Sequence, residues 1–260
     1  MKRLVLATLC LGLIATAAAA ADITGLTLTP RGTIALGEKG TQFPLGAAVS
    51  TVAYSNITNF LGQGFPNGGT ANQAGNLITR LVADDLTPTA GYGGLNVNTF
   101  TFSVANLGAG TVTARPRVRF YLSDGAGGGP GTVVTGFTFN PISFPAGVGL
   151  YTATLAGTMN LPLTTFWAGI TFDNNTGGTG ATAAQLNGLG QGIFDPPTVG
   201  SSLDVFFITT AAGSFLANNP AGSFSNFNGA PVANFGWDFQ VEQPVPAIPS
   251  TWGRVKNLYR

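Results

Sequence analysis

Few side chains in this 260-residue sequence can carry chemistry. Only 8% of the residues are charged, histidine is absent, and Cys10 is the single cysteine. Without histidine, the chain has no Ser-His-Asp triad and no histidine metal site. The candidates that remain are carboxylates, arginines and aromatic rings. They point to ion binding, polysaccharide binding or carboxylate-based glycoside hydrolysis.

Three of the basic residues are spaced by two positions in one predicted strand. Arg115, Arg117 and Arg119 would share a face of that strand, and Tyr121 continues the row. Because arginine forks pair with carboxylates in bidentate fashion, the row is a candidate site for an anionic polysaccharide or for a partner's carboxylates. The alternative is a solvated strand face. Pro116 suggests that the strand lies at a sheet edge, and the arginine charges would protect that edge from pairing with another strand.

Trp167 is the candidate sugar platform. In a predicted strand it faces away from Phe166 and Ile170. An exposed ring there would stack on a sugar. The alternative is burial against a second core layer.

Four aspartates offer oxygen ligands for calcium, the only cofactor that the sequence suggests. Asp84 and Asp85 are adjacent, and Asp124 and Asp173 lie in turn-forming sequences. Hard cations take carboxylates and loop carbonyls as ligands, but no EF-hand spacing is present, and simple Asp turns are the alternative. Neighbours on a strand point to opposite faces, so Asp84 and Asp85 cannot act jointly unless a bulge intervenes.

A glycosidase that works with carboxylates alone needs two carboxyl groups roughly 5 to 10 Å apart in a cleft. The aspartates considered for this role are spread along the sequence: Asp84, Asp124, Asp173, Asp195, Asp204 and Asp238. If the fold scatters them over separate surfaces, this activity is excluded.

The elements that must position these residues are predicted to be short strands. Apolar and polar residues alternate with a period of two in short runs, and clusters of Gly, Pro, Asn and Asp separate these runs. The predicted strands are 23–28, 48–54, 77–86, 99–104, 112–122, 133–139, 150–155, 166–172, 203–209 and 235–242. Residues 181–189 suggest a short helix, and 190–200 a long surface loop. The pattern predicts an all-β fold, a two-sheet antiparallel β-sandwich of jelly-roll-like form.

The N-terminal residues 1–21 have the pattern of a secretory signal peptide, with cleavage predicted after Ala20 or Ala21. Removing them takes away Lys2 and Arg3, so nine basic residues remain against ten acidic ones, a net charge of about −1. The mature chain then has no cysteine and must fold without disulfides. Its low charge argues against nucleic acid as a partner.

Residues 22–243 are predicted to form one β-sandwich domain with N-terminal extension strands.

Four stretches resemble the β-sandwich domain of secreted bacterial proteins that often carry a PEP-CTERM sorting signal. They are 81–86, 119–125, 128–132 and 166–170, and the resemblance covers about residues 75 to 175. It implies a secreted protein, extracellular or on the cell surface, and says little about activity.

The tail, residues 244–260, is predicted to be a proline-rich linker with a basic end. Residues 245–252 look like the opening of a PEP-CTERM tail, but the glutamate between the prolines and the apolar span are missing, so no membrane span is predicted in the mature chain. A sorting address and a frayed terminus are the two interpretations. The residues proposed for the address are Pro246, Pro249, Trp252, Arg254, Lys256, Tyr259 and Arg260.

These observations predict a non-catalytic structural or matrix-associated protein at the surface of a bacterium. The alternative is a carbohydrate-binding module for extracellular polysaccharide, and a less favoured one is a glycoside-active enzyme that uses carboxylates. Expected partners are extracellular polysaccharide or other surface proteins.

Overall fold

The computed structural model describes residues 28–34, 50–73, 75–155, 159–175, 179–212, 217–229 and 231–243. The predicted signal peptide, Cys10 and the tail 244–260 lie outside the described residues. Within those ranges the chain forms two β-sheets with antiparallel pairing in all but one strand pair. The prediction of an all-β sandwich is confirmed.

The first sheet has seven strands, with β7 at its centre. It contains β1 (Leu28–Ile34), β2 (Ser50–Ser55), β3 (Phe60–Pro66), β7 (Val97–Asn106), β11 (Gly147–Thr154), β13 (Leu189–Phe194) and β16 (Trp237–Glu242). One side of β7 pairs with β11. On the other side, β16 pairs with the first part of β7, and β13 pairs with its end. The outer strands are β1 on β11, β3 on β13 and β2 on β16, and the β1–β11 pair is parallel.

The second sheet has nine strands, several of them short. It contains β4 (Ala71–Gln73), β5 (Asn76–Ile78), β6 (Val82–Leu86), β8 (Val112–Leu122), β9 (Val133–Thr138), β10 (Ile142–Phe144), β12 (Phe166–Asp173), β14 (Phe206–Thr209) and β15 (Gly222–Ser225). The main path is β10-β8-β12-β6-β14-β15, and β9 also pairs with β8. This order places β6 between β12 and β14, with both of its edges covered.

Aromatic rings from both sheets form the main core. Phe100 and Phe239 of the first sheet meet Phe120 of the second, each with ring centroids 5.4 Å apart. All three are fully buried, as is Trp237. Such edge-to-face contacts add to the free energy gained from apolar burial.

A smaller apolar cluster lies on the other face of the nine-stranded sheet. It contains Tyr121, Trp167, Phe207, Leu81 and Ala83 and is called the outer cluster below. Because it covers the face opposite the main core, both faces of β6 and β12 are buried. This explains why β12 is buried at every position.

The short helix predicted in 181–189 is present as α1 (Ala183–Asn187). Its first turn is closed by a capping box, in which the Gln185 amide donates to the Thr182 hydroxyl at 3.3 Å and the Thr182 amide donates to Gln185 Oε1 at 2.9 Å. Reciprocal bonds of this kind satisfy two free donors at a helix start. Among the described residues, no helix has the length and apolar character needed to cross a membrane.

The prediction of a surface loop at 190–200 is wrong over its first half, where the chain forms the buried strand β13. The prediction failed because glycines interrupt the alternating pattern. A Cβ at Gly190 would overlap the carbonyl oxygen of Phe65 on β3, and one at Gly192 would lie 2.7 Å from Cγ1 of Val148. Glycine is required here by the close approach of neighbouring strands.

The prediction, based on Pro116, that this strand lies at a sheet edge is also wrong, since β8 is paired on both sides. It pairs with β12 along one side and with β10 and then β9 along the other. Pro116 lies where the second side changes from β10 to β9, and its carbonyl accepts from the Phe139 amide at 3.1 Å. The missing proline N–H therefore falls at a gap between two partner strands.

Candidate functional site

The three arginines do share one face of β8, because they are half-buried while the residues between them are buried. Arg115 donates from Nε to Oδ1 of Asp173 at 2.8 Å and from Nη2 to Oδ2 at 3.0 Å. The Arg117 guanidinium pairs with the same carboxylate. Asp173 is fully buried on the neighbouring strand β12, directly opposite Arg115. The carboxylate that these arginines bind is therefore supplied by the chain itself.

Arg119, the last arginine of the row, bonds to the backbone beside it. Its Nη1 donates to the carbonyls of Val118, at 2.8 Å, and Phe137, at 3.3 Å. The side chain lies over Gly136 of β9, where a Cβ would overlap it. Tyr121 ends the row fully buried in the outer cluster. Burial raises the pKa of Tyr121, against the opposing effect of the Arg119 charge.

Trp167 does not present its ring to solvent. The sugar platform that the sequence suggested needs an exposed ring, so that prediction is wrong for this structure. The side chain is 2% exposed and packs in the outer cluster. Its Nε1 donates to the Gly128 carbonyl at 2.9 Å, and Phe224 lies against the ring at a centroid distance of 5.8 Å. The glycine-rich loop after β8 thus covers the ring, and stacking on a sugar would require the loop to open.

Asp124 fixes the start of the same loop and is exposed. It accepts from the Thr132 amide at 2.6 Å and from the Thr132 hydroxyl at 2.7 Å. These bonds lower the pKa of Asp124. Its geometry is that of a hairpin loop closed by an Asp side chain.

The remaining calcium candidates, Asp84 and Asp85, lie together in a buried polar cluster that the sequence did not reveal. The Ser202 hydroxyl lies 3.2 Å from Asp84 Oδ1, 3.4 Å from Asp85 Oδ1 and 3.0 Å from Asn234 Oδ1. The carbonyl of Leu203 is 3.4 Å away. We call Asp84, Asp85, Ser202, Leu203 and Asn234 the Ser202 cluster.

Backbone amides hold both carboxylates in place. Phe235 N donates to Asp84 Oδ2 at 2.7 Å, and Leu203 N donates to the two Asp85 oxygens at 3.2 and 3.3 Å. Asp84 is fully buried and Asp85 is 2% exposed. Each carboxylate is therefore fixed in position without an arginine or lysine partner among the described residues.

The local chain path explains how one hydroxyl reaches two neighbouring aspartates. Asp84 follows Val82 on the face of β6 toward the main core, and Asp85 follows Ala83 toward the outer cluster. Residues 202–205 bulge out between the bridge of Ser201 to Thr87 and the start of β14, and they lie opposite Asp85 and the residue after it. Ser202 therefore sits at the edge of β6, where it can approach both faces.

Burial controls the electrostatics of the cluster. It raises the pKa of Asp85 to about 6, against the effect of the bonds from Leu203 and Ser202. The pKa of Asp84 is raised well above its ordinary value, by burial first and then by the charge of Asp85. The pKa of Tyr54 is also raised, by burial and by the charges of Asp84 and Asp85, against a smaller opposing effect of Ser202.

The six aspartates considered for a glycosidase are partly gathered and partly dispersed. Asn234 of the cluster donates to Asp195 at 3.0 Å, and Asp204 accepts from the neighbouring Ala233 amide at 2.7 Å. Asp124, Asp173 and Asp238 have different partners elsewhere. No group of three or more His, Cys, Asp or Glu side chains in the described ranges is arranged to hold a metal.

Ser202, Asn234 and Tyr54 are the members of the site that the sequence analysis missed. The adjacent pair Asp84 and Asp85 was the only signal of it in the sequence. Ser202 lies 117 residues from Asp85, and no local pattern connects two positions at that separation. The residues predicted for a sorting address, from Pro246 to Arg260, lie outside the described residues.

Comparison with known proteins gives no family. No family model matches the sequence, and no curated protein matches it. Two solved structures are similar over part of this chain. One is a single-residue variant of the clostridial cysteine protease Cwp84 after propeptide cleavage. Its TM-score is 0.37 and its identity 12%, over 69% of this chain and 42% of that one.

The other structure contains the cysteine protease and lectin-like domains of Cwp84, a surface layer associated protein of Clostridium difficile. Its TM-score is 0.33 and its identity 14%, over 66% of this chain and 34% of that one. This chain therefore spans less than half of either structure. Likenesses at these TM-scores establish neither a family nor an activity for this chain.

Proposed function

We propose that this chain is a non-catalytic structural or matrix-associated protein, located outside the cell or on the surface of a bacterium. The observation that supports the proposal is where the chemically capable side chains lie. Asp173 binds Arg115 and Arg117, the outer cluster takes up Tyr121 and Trp167, and Asp84, Asp85 and Asn234 of the Ser202 cluster are buried. These side chains hold the fold together instead of facing a substrate.

The surface that results is nearly uncharged. Among the charged side chains whose burial is described, Asp124 alone is exposed. The exposed positions are occupied mostly by Gly, Ala, Ser, Thr and Asn. A surface with little net charge favours association between protein molecules, which suits a matrix component.

The carbohydrate-binding alternative has no comparable support among the described residues. The large exposed apolar side chains there are Leu61, Leu122, Leu163, Leu203 and Phe224, and Phe224 is the single aromatic residue among them. Sugar platforms in sandwich proteins need a ring face open to solvent. A pair of coplanar exposed rings would have favoured this function.

Cell fractionation combined with affinity electrophoresis tests the proposal. We expect the native protein in the extracellular or cell-surface fraction, and we expect the purified protein to run unretarded through gels that contain bacterial or plant polysaccharides. Retardation by one polysaccharide would support the carbohydrate-binding alternative. Recovery of the native protein in the cytosol would contradict the surface assignment.

We propose further that residues 244–260 act as an address for surface attachment. Deleting them should leave the fold intact, with an unchanged circular dichroism spectrum and melting temperature, and should release the protein from the cell surface into the medium. A matched control keeps the proline-rich segment and replaces residues 252–260 with a Gly/Ser chain of the same length. If the deleted form fractionates like the wild type, these residues are no address.

A further inference from the structure

Oxygen acceptors outnumber donors around Ser202. Four acceptor oxygens lie 3.0 to 3.4 Å from its hydroxyl oxygen, from Asn234, Asp84, Asp85 and the Leu203 carbonyl. A hydroxyl has one proton to donate, so it satisfies one of the four at a time. The Leu203 carbonyl also accepts from Val205 N at 2.8 Å, and Asp85 Oδ1 accepts from Leu203 N at 3.2 Å, so Asp84 Oδ1 and Asn234 Oδ1 depend most on the one hydroxyl proton. Two such acceptors beside one hydroxyl are costly to bury unless a further donor or a positive charge lies among them.

An independent observation at the same place is the hydroxyl of Tyr54. It is fully buried and makes no hydrogen bond of acceptable distance and angle in the described part of the chain. The Tyr54 ring packs against Gly200, where an added Cβ would lie 2.8 Å from Cδ2 of Tyr54, and Gly200 precedes Ser202 by two residues, so the ring lies beside the cluster. A buried hydroxyl without a well-formed hydrogen bond offers one more oxygen to a ligand at this position.

The described part of the chain places no cation of its own at this cluster. Arg115 and Arg117 are paired with Asp173 on another part of the sheet. No described arginine or lysine pairs with Asp84 or Asp85. Two buried carboxylates that stay ionised here, held by backbone amides with neutral oxygens around them, would be stabilised by a positive charge bound among them.

The spacing of the oxygens fits one class of ion. Calcium binds six to eight oxygens at about 2.3 to 2.6 Å, which puts neighbouring ligand oxygens about 3 Å apart. The 3.0 to 3.4 Å separations around Ser202 match this spacing. Calcium accepts carbonyl and hydroxyl oxygens beside carboxylates, whereas magnesium requires a strict octahedron with shorter bonds.

We propose that the Ser202 cluster binds one calcium ion, with Asp84, Asp85, Ser202 and Asn234 as ligands from the protein. The two carboxylates balance the charge of the ion, and the neutral oxygens complete its shell. The ion enters beneath the bulge of residues 202–205, where Leu203 is 67% exposed. Once bound, it ties the bulge and Asn234 to β6.

Calorimetric titration of calcium into the EDTA-treated and dialysed protein, with thermal melting in parallel, tests the proposal. We expect one site per chain and a melting temperature that rises with calcium concentration, since a ligand that binds only the folded state stabilises it by mass action. Magnesium at the same concentration should produce a much smaller rise. Terbium should bind the same site and show luminescence sensitised by the nearby Tyr54.

Two variants of the cluster and one control locate the site. Asp85→Asn and Ser202→Ala should each raise the dissociation constant of calcium at least tenfold, whereas Asp124→Asn, in an exposed carboxylate of the hairpin loop, should leave it unchanged. Because Asp85→Asn keeps the shape of the side chain, its melting temperature in EDTA reports whether it folds. An absence of calcium binding to the wild type would overturn the proposal. Wild-type affinity in Asp85→Asn, or loss of binding in Asp124→Asn, would do the same.

Discussion

Asp173 shows how a residue's surroundings decide its role. The sequence placed Arg115, Arg117 and Arg119 correctly on one face, because alternation along a strand is a local property. The partner of Arg115 and Arg117, Asp173, lies on β12, 58 residues from Arg115, so the sequence could not identify it. What looked like a binding strip for an external anion is largely an internal ion pair.

Asp173→Asn should lower the free energy of unfolding by about 3 kcal/mol, because two guanidinium groups lose the buried carboxylate that they share. Arg115→Gln and Arg117→Gln should each cost roughly half of that, since one guanidinium remains on the carboxylate. Urea unfolding measures all three. If Asp173→Asn costs less than either arginine variant, the shared ion pair is not the stabilising interaction.

Asp238 on β16 gives a prediction for pH. Burial raises its pKa, against the effect of bonds from Ser55 and Gln240. The folded state therefore holds the proton more tightly than the unfolded state, and the contribution of Asp238 to stability decreases as pH rises above the ordinary aspartate pKa of about 4.

The test compares the wild type with Asp238→Asn by urea unfolding from pH 4 to pH 8. The free energy of unfolding of the wild type, minus that of the variant, should fall as pH rises. Asp124→Asn is the matched control, because the pKa of Asp124 is lowered. For this variant, the free energy of unfolding of the wild type minus that of the variant should become smaller as pH decreases. A difference for Asp238→Asn that rises with pH would show that the carboxyl group is stabilised in its ionised form.

At the scale of elements, strands with intact alternation were predictable and strands built on glycine were not. The predicted run 112–122 has the same bounds as β8. By contrast, β13 was missed because Gly190 and Gly192 leave only every second position to carry a pattern. The run 77–86 was predicted as one strand but forms β5 and β6, since residues 79–81 leave the ladder between them.

Gly190→Ala should destabilise the protein by more than about 2 kcal/mol, because the added methyl group overlaps the Phe65 carbonyl and pushes β3 away from β13. The control is Gly110→Ala, a position where an added Cβ meets nothing within 4 Å. It should change stability by less than about 0.5 kcal/mol. Equal effects of the two substitutions in urea unfolding would mean that the close approach of β3 does not require glycine.

At the scale of the whole molecule, the fold class followed from the sequence but the site did not. Alternation and turn residues are repeated many times along the chain, so errors in single strands leave the prediction of an all-β sandwich unchanged. The Ser202 cluster depends on β6, the bulge of residues 202–205 and Asn234 meeting at one point. Only the complete topology brings Asp84, Ser202 and Asn234 together.

The low charge of the sequence acquires a spatial meaning in the folded molecule. Most of the described charged side chains are buried or half-buried, and the surface is left to small and neutral polar residues. This distribution fits the proposed role as an exported structural protein, because a surface with little net charge favours association between protein molecules. Within the described ranges, it differs from the surface of a protein that steers charged ligands, which needs exposed clusters of one sign.

The measurement that tests the proposed function most directly is the mass and N-terminal sequence of the native protein, isolated from each cell fraction. The account predicts that the protein is concentrated in the extracellular or surface fraction and begins at Ala21 or Asp22. A chain that retains Met1 and is found in the cytosol would contradict it.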